Sequence, residues 1–283
     1  MDTQNLRTFL TLATEKNFTR TAAQLYVAQS TVTNRIAQLE LETGKQLIRR
    51  GKKSLSLTEE GLLFLNYAKR IVELEDMALK EIHSSEQSKT ALRIGTTNTF
   101  YECYLYPHMQ NFLPEHPQIA PSVTIGHSLN LLQMLQDGLL DLTFTYTPLQ
   151  RPEFSCALYK TDALVLVTRP DKNAYPEGIR KKDLGRLYYL FCNFALQDVG
   201  LFIKELFPPL YQFPFEIDNS TKVVDYLLDG IGASFLPEGL VRSYLESGRL
   251  TSIPLLDFEA PKINSYVSCR PGSPTVDLYL GSL

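Results

Sequence analysis

Between Asn5 and Gly44 three amphipathic stretches follow one another with almost no spare chain, and this spacing constrains the fold more than any other feature of the 283 residues. Leu6, Phe9, Leu10 and Ala13 recur at helical spacing and predict a helix over 5–16. Phe18 opens a second, short helix through Ala22, Ala23 and Leu25 that Thr19 can cap, and the two alanines permit a close helix crossing. A third helix is expected from Gln29 to Glu42, closing at Gly44, a residue suited to the left-handed conformation. At about 100° per residue Val32, Ile36 and Leu39 point inward, while Ser30, Asn34 and Ala37 point outward between Thr31, Thr33 and Gln38. That outer face is short, polar and free of acid. It suits a DNA major groove, where amides and hydroxyls read base edges without repulsion from phosphate. Lys45 to Leu57 follows, with Arg49, Arg50, Lys52 and Lys53 around Gly51 and Leu55 and Leu57 alternating, which predicts a two-stranded wing with a basic tip.

Charge divides the chain in the same place. Residues 1–58 hold nine basic and four acidic side chains, and the remaining residues hold nineteen basic and twenty-seven acidic ones. A basic head on an acidic body points to a polyanion, double-stranded DNA, as partner of the head alone; a chance surface cluster is the plainer alternative. With 44% hydrophobic and 21% charged residues the chain can bury cores for about two domains, which excludes disordered, collagen-like and coiled-coil-only classes. The longest apolar runs, such as Leu62 to Leu65, fall far short of the roughly 20 residues of a bilayer span, so no membrane partner is expected. The N-terminus has no signal-peptide pattern, and a cytoplasmic protein is expected. Cys103, Cys156, Cys192 and Cys269 fit neither a disulfide framework nor a zinc ribbon and are expected to be reduced.

From Thr58 to Ser84 there is no proline and no glycine after Gly61, which predicts one long helix. It carries two apolar ridges: Leu65, Ala68, Val72, Leu79 and Ile82, and Phe64, Ile71, Leu74 and Ala78. Burial against its own domain and antiparallel pairing in a dimer both account for them. Ser84 to Lys89 is a polar hinge. Strands and helices then alternate, at 92–95, 99–112, 122–125, 128–137 and 142–146 and again from 163 to 236, predicting an α/β body of two lobes on a mainly parallel sheet. Three strand-to-helix junctions carry hydroxyls: Thr96-Thr97-Asn98-Thr99, His127-Ser128 and Asn219-Ser220-Thr221. Ligands of such sheets sit at strand ends near helix N-termini, although a hydroxyl there is also an ordinary helix cap.

The head resembles the N-terminal domain of the LysR-type transcriptional regulators through Leu6-Arg7-Thr8-Phe9, residues 17–23 (NFTRTAA), Val27-Ala28-Gln29-Ser30, residues 35–40 (RIAQLE) and Leu57-Thr58-Glu59-Glu60-Gly61. The body resembles that family's effector domain, itself similar to periplasmic solute-binding proteins, through Leu92-Arg93-Ile94-Gly95, residues 131–142 (LLQMLQDGLLDL) and residues 230–238 (GIGASFLPE). The resemblance implies an α/β body behind an all-α winged helix-turn-helix domain at 1–58, with a linker/dimerisation helix and hinge at 59–89 and an effector domain at 90–283. Lobe I is expected at about 90–162 and 265–283, and lobe II at about 163–264. It also implies DNA contact by Gln29, Ser30, Thr33 and Asn34 with wing support from Lys53. Thr31, Arg35, Arg50 and Lys52 are added from the charge and face patterns. The chain departs from the family at Ala28, where serine is common, and at Asn34, where arginine is frequent; asparagine suits adenine.

Thr99 and Ser128 match the family's recurrent effector hydroxyls, and Thr97, Thr145, Asn193 and Thr221 are added from their strand-end placement. Tyr101, Tyr104, Tyr146 and Phe194 are candidates for an apolar wall, or plain core. No basic residue lies in the three junctions, so an anionic effector would rely on backbone NH groups and hydroxyls. The expected partners are duplex DNA, a small-molecule effector and one or three further copies of the chain. No cofactor or metal is expected, since there is no GxSxG, HExxH, GxxxxGK[ST] or GxGxxG, and the four histidines lack metal spacing. A thiol redox sensor on the same scaffold, or a DNA-tethered enzyme, are the alternatives.

Overall fold

The computed structural model describes residues 1–50, 55–84, 89–193 and 199–283, with the side chains of Arg50, Lys80, Glu81, His83 and Ser84 left out. The chain divides into two compact units, Met1–Ser88 and Lys89–Leu283.

In the first unit α1 (Thr3–Glu15), α2 (Phe18–Gln24) and α3 (Gln29–Thr43) precede a hairpin of β1 (Ile48–Arg50) and β2 (Leu55–Leu57), and α4 (Glu59–Ser84) follows. The cap of α2 differs from expectation: the Asn17 side chain accepts from Arg20 N, and Thr19 lies inside the helix. Asparagine leads the N-cap preferences, and here it stands one residue ahead of the helix. Ala28 is the N-cap of α3 and makes no side-chain cap bond, and Gly44 closes the helix at φ 64°. The core is Leu6, Phe9, Leu12, Val32, Ile36, Leu39, Leu47 and Ile48 with Ala68 and Val72 of α4. Phe9 meets the edge of the Phe64 ring at 5.3 Å. Arg7 clamps α1 to α4 through Glu75 at 2.8 Å and Asp76 at 2.6 Å. Its bond holds the Glu75 carboxyl below the usual range, helped by Thr3. The ridges of α4 therefore sort differently from their spacing. Phe64, Leu65, Ala68 and Val72 pack on the unit's own core, while Leu62, Leu63, Tyr67, Ile71, Leu74, Leu79 and Ile82 are exposed.

The second unit begins with β3 (Thr90–Thr96), then α5 (Asn98–Phe100), a π turn (Tyr101–Leu105) and α6 (Tyr106–Glu115). Next come β4 (Ile119–Ile125), α7 (Ser128–Gln136), β5 (Leu142–Thr145) and the 14-residue β6 (Ser155–Thr168). β7 (Leu190–Cys192), α8 (Val199–Leu206), β8 (Phe215–Ile217), α9 (Ser220–Leu228), β9 (Ala233–Pro237), α10 (Glu238–Glu246), β10 (Thr251–Ser252), β11 (Lys262–Cys269) and α11 (Pro274–Gly281) complete it.

Among the described residues the main sheet runs β10-β6-β11-β5-β3-β4, with β9 on β6. It is mixed, not mainly parallel. β3 pairs in parallel with β4 and β5, but β11 pairs antiparallel with β5 and β6, and β6 antiparallel with β9 and β10. The expectation failed because the βαβ alternation is interrupted after β5 by β6 and resumes only in the separate β7–α8–β8 unit. β6 and β11 are long return strands, and the register between them shifts at Ser265/Tyr266, opposite Lys160 and Leu158. β7 and β8 form a separate parallel ribbon, bridged to β9 at Tyr189↔Ala233. No helix of the described residues is long and apolar enough to cross a membrane.

Candidate functional sites

The recognition candidates lie on α3. Val32, Ile36 and Leu39 are at most 1% exposed, and this anchored stripe turns Gln29, Ser30, Asn34, Ala37 and Gln38 to solvent. Thr31 and Thr33 are half-buried, and the Thr33 hydroxyl donates to Gln29 O at 3.1 Å. Gln29 is braced by the Thr19 hydroxyl, which donates to its Oε1 at 3.3 Å. Arg35 folds back, its Nη1 donating to Thr8 Oγ1 on α1 at 3.1 Å, so its charge is tethered at the edge of the face. The hairpin pairs Arg50 with Leu55. The Arg50 side chain and the tip residues Lys52 and Lys53 lie outside the described residues. Nothing in the local pattern singles out Tyr26, 95% exposed at φ 55° in the turn before α3. A positive φ at tyrosine is a tertiary outcome, and only the shortness of the turn hints at it.

In the second unit the three hydroxyl-bearing junctions converge. Asn98 Nδ2 donates to Asn219 Oδ1 at 3.0 Å and to Thr221 Oγ1 at 2.9 Å. Thr99 Oγ1 and Ser220 Oγ are 2.5 Å apart, and His127 Nε2 lies 3.3 Å from Asp218 Oδ2. Ser128 Oγ accepts from Tyr146 N at 3.1 Å. Burial pushes the Tyr146 phenol well above its ordinary pKa, with the Thr97 and Thr99 hydroxyls pulling weakly the other way. Thr97 is the N-cap of α5, yet its hydroxyl does not cap; Thr97 Oγ1 is buried with no well-formed hydrogen bond. Asn219, by contrast, caps α9 through Thr221 N and Lys222 N.

Thr97, Thr99, Ser128 and Thr221 thus share one locality. Thr145 is fully buried beside it with its hydroxyl given to Thr147 O, and Asn193 follows β7 with its backbone NH on Ile217 O. Sequence position alone does not mark Asn98, Asn219 and Ser220, because their contacts span more than 120 residues. Of the wall candidates, Tyr146 is buried at the site and Tyr104 donates to Asp162 beneath Lys160. The Tyr101 ring lies 6.3 Å from that of Tyr106, and Phe194 lies outside the described residues.

A helix-turn-helix with a winged hairpin, followed in the same chain by a two-lobed α/β body with a polar cluster at its strand ends, defines a DNA-binding regulator that carries an effector-binding domain. Residues 3–62 match the bacterial regulatory helix-turn-helix protein, lysR family, and residues 85–279 match the LysR substrate binding domain. The chain belongs to the LysR family of transcriptional regulators. It is 27% identical over 271 residues to the HTH-type transcriptional regulator CitR of Bacillus subtilis (strain 168), covering 94% of this chain and 92% of CitR. In fold it is similar to CbnR, a LysR family regulator, with a TM-score of 0.74 at 18% identity over 100% of this chain and 98% of that one. It is similar to full-length CbnR complexed with its target DNA with a TM-score of 0.71 at 19% identity, over the same shares of the two chains.

Proposed function

We infer that α3 enters the major groove of an operator through Gln29, Ser30, Thr31, Thr33 and Asn34, with Arg35, Arg50, Lys52 and Lys53 on the phosphates. A small-molecule effector held by Thr97, Thr99, Ser128, Thr145, Asn193 and Thr221 modulates that binding. The observation that carries this is the α3 face itself: an exposed row without a carboxylate, held rigid by a stripe at most 1% exposed. The chain works in the cytoplasm as a homodimer or homotetramer, and the exposed apolar face of α4 supports pairing with a second copy. Its role is regulatory, without catalysis.

The effector class favoured is a small anion bound by hydroxyls and helix N-terminal NH groups, supported by the buried Thr97 hydroxyl, which makes no well-formed hydrogen bond, and the absence of lysine or arginine from the three junctions. Redox sensing is less favoured. Ser268 pairs with Cys156 and Cys269 with Ser155, so Cys156 and Cys269 project from opposite faces of the ladder. Burial, ahead of Asp162, pushes the Cys103 thiol up to about 12, far from a reactive thiolate.

Two experiments test the proposal. Asn34→Arg should move base preference at one operator position away from adenine, with about 1–3 kcal/mol of discrimination in binding to base-substituted duplexes. An unchanged preference at every position removes Asn34 from base readout. A thermal-shift screen of small carboxylates and phosphates should find a stabilising ligand, because one present at about 100 times its Kd adds about 2.7 kcal/mol to the folded state. That stabilisation should disappear in Thr97→Val.

A further inference from the structure

Two of the side chains assigned above to the effector, Thr99 and Thr221, are already bound across the two lobes, to Ser220 and Asn98. Asn98 and Thr99 stand at the end of β3, in the lobe that carries β4, β5 and α7. Asn219, Ser220 and Thr221 stand at the start of α9, in the lobe that carries β7, β8 and β9. Three hydrogen bonds join the two short segments: Asn98 to Asn219, Asn98 to Thr221, and Thr99 with Ser220. Thr99 is 3% exposed and Ser220 1%, so that bond is shielded from water and neither hydroxyl can turn to solvent instead. The Asn219 oxygen that accepts from Asn98 also receives Thr221 N and the Thr221 hydroxyl, so the α9 N-terminus is held by the same atom that holds the other lobe. At the rim His127 and Asp218 face each other, both largely exposed.

From this we propose that the effector site is self-latched. In this latched state Asn98 and Thr99 of one lobe are tied to Asn219, Ser220 and Thr221 of the other, and an effector that takes Thr99 or Thr221 acts by replacing these bonds, loosening the lobes where it binds. The proposal rests on the small-molecule reading above, but it differs from closure around a ligand: a molecule that takes Thr99 or Thr221 must first break a bond between lobes. A ligand can shift the lobes only by its differential affinity for the latched and unlatched states. Thr97 is the point of first attachment, since its buried hydroxyl faces the Tyr146 phenol of its own lobe and makes no bond to the other lobe among those described.

The experiment is hydrogen–deuterium exchange on the full-length, ligand-free protein, so its outcome does not depend on whether an effector is ever found. In a variant carrying Asn98→Ala and Ser220→Ala, amides of 98–105 and of 220–228 should exchange at least about tenfold faster, since all three hydrogen bonds between the lobes are lost, while β4 and α8 keep their protection. A second variant, Thr99→Cys with Ser220→Cys, should form a disulfide on oxidation and slow exchange in the same two segments. Unchanged protection in the first variant, or a second variant that neither cross-links nor gains protection, would overturn the latch while leaving the effector reading intact. If the first variant loses protection everywhere, the cross-linked one decides.

Discussion

Replacing Phe9 with alanine should unfold the N-terminal unit while the second unit keeps its own transition. Phe9 has no exposure to solvent and packs among Leu6, Leu12, Val32 and Ile36, with the Phe64 ring of α4 against its edge. Truncating a buried phenylalanine costs about 3–5 kcal/mol, lost transfer energy together with a cavity that rigid helices cannot fill. A unit of under ninety residues stands near the low end of the roughly 5–15 kcal/mol that stabilises folded domains, so most of its margin disappears. Denaturation followed by circular dichroism should show an early transition absent from the wild-type chain, and retention on duplex DNA should fall with it. A single transition at the wild-type midpoint would show that Phe9 does not hold the α1–α4 contact.

The second large effect has a sign opposite to helix propensity. Gly61 lies in the first turn of α4, where alanine would ordinarily add up to about 1 kcal/mol. Here a Cβ would stand 2.1 Å from Leu47 O, the carbonyl that receives Thr58 N, and 3.2 Å from Thr58 Oγ1. Thr58 Oγ1 in turn donates to Gln46 O at 2.7 Å and accepts from Gly61 N at 2.9 Å. Helix and wing are therefore locked backbone to backbone, and the obstacle is a carbonyl that cannot swing aside. Gly61→Ala should destabilise the first unit by about 1–3 kcal/mol and displace the hairpin from α4. Asn66→Ala, on an exposed position of the same helix, should be neutral or slightly stabilising. If both substitutions stabilised in chemical denaturation, the close approach would not exist in solution.

These two residues also show what the sequence could disclose. Phe9 was legible as core because helical periodicity reports which face is buried, and the same held for Val32, Ile36 and Leu39. Gly61 was visible only as part of a motif; its reason, a carbonyl within a bond-length's reach of a missing methyl, belongs to the packed structure. β11 escaped notice because its buried positions include Ser265 and Ser268, hydroxyls that hydropathy counts as surface. The first half of β6 is largely exposed, so it lacks the apolar alternation that marks a strand. At the cluster proposed for the effector, the hydroxyls at the strand ends are visible in the sequence from position alone. Their partners Asn98 and Ser220 are not, since nothing local ties residue 98 to residue 219.

The register shift between β6 and β11 leaves Tyr159 without a partner in the ladder, in the middle of the stretch paired with β11 and ahead of the pairing with β9 that begins at Leu164. A bulge concentrates twist and carries fewer cross-strand bonds than the regular ladder on either side. Tyr159 lies against the rings of Phe100, Tyr104 and Phe144, the first two from the segment just after Asn98. Where the ladder is weakest, the strand is therefore held by packed rings in place of cross-strand bonds, and a smaller side chain at 159 would loosen it there.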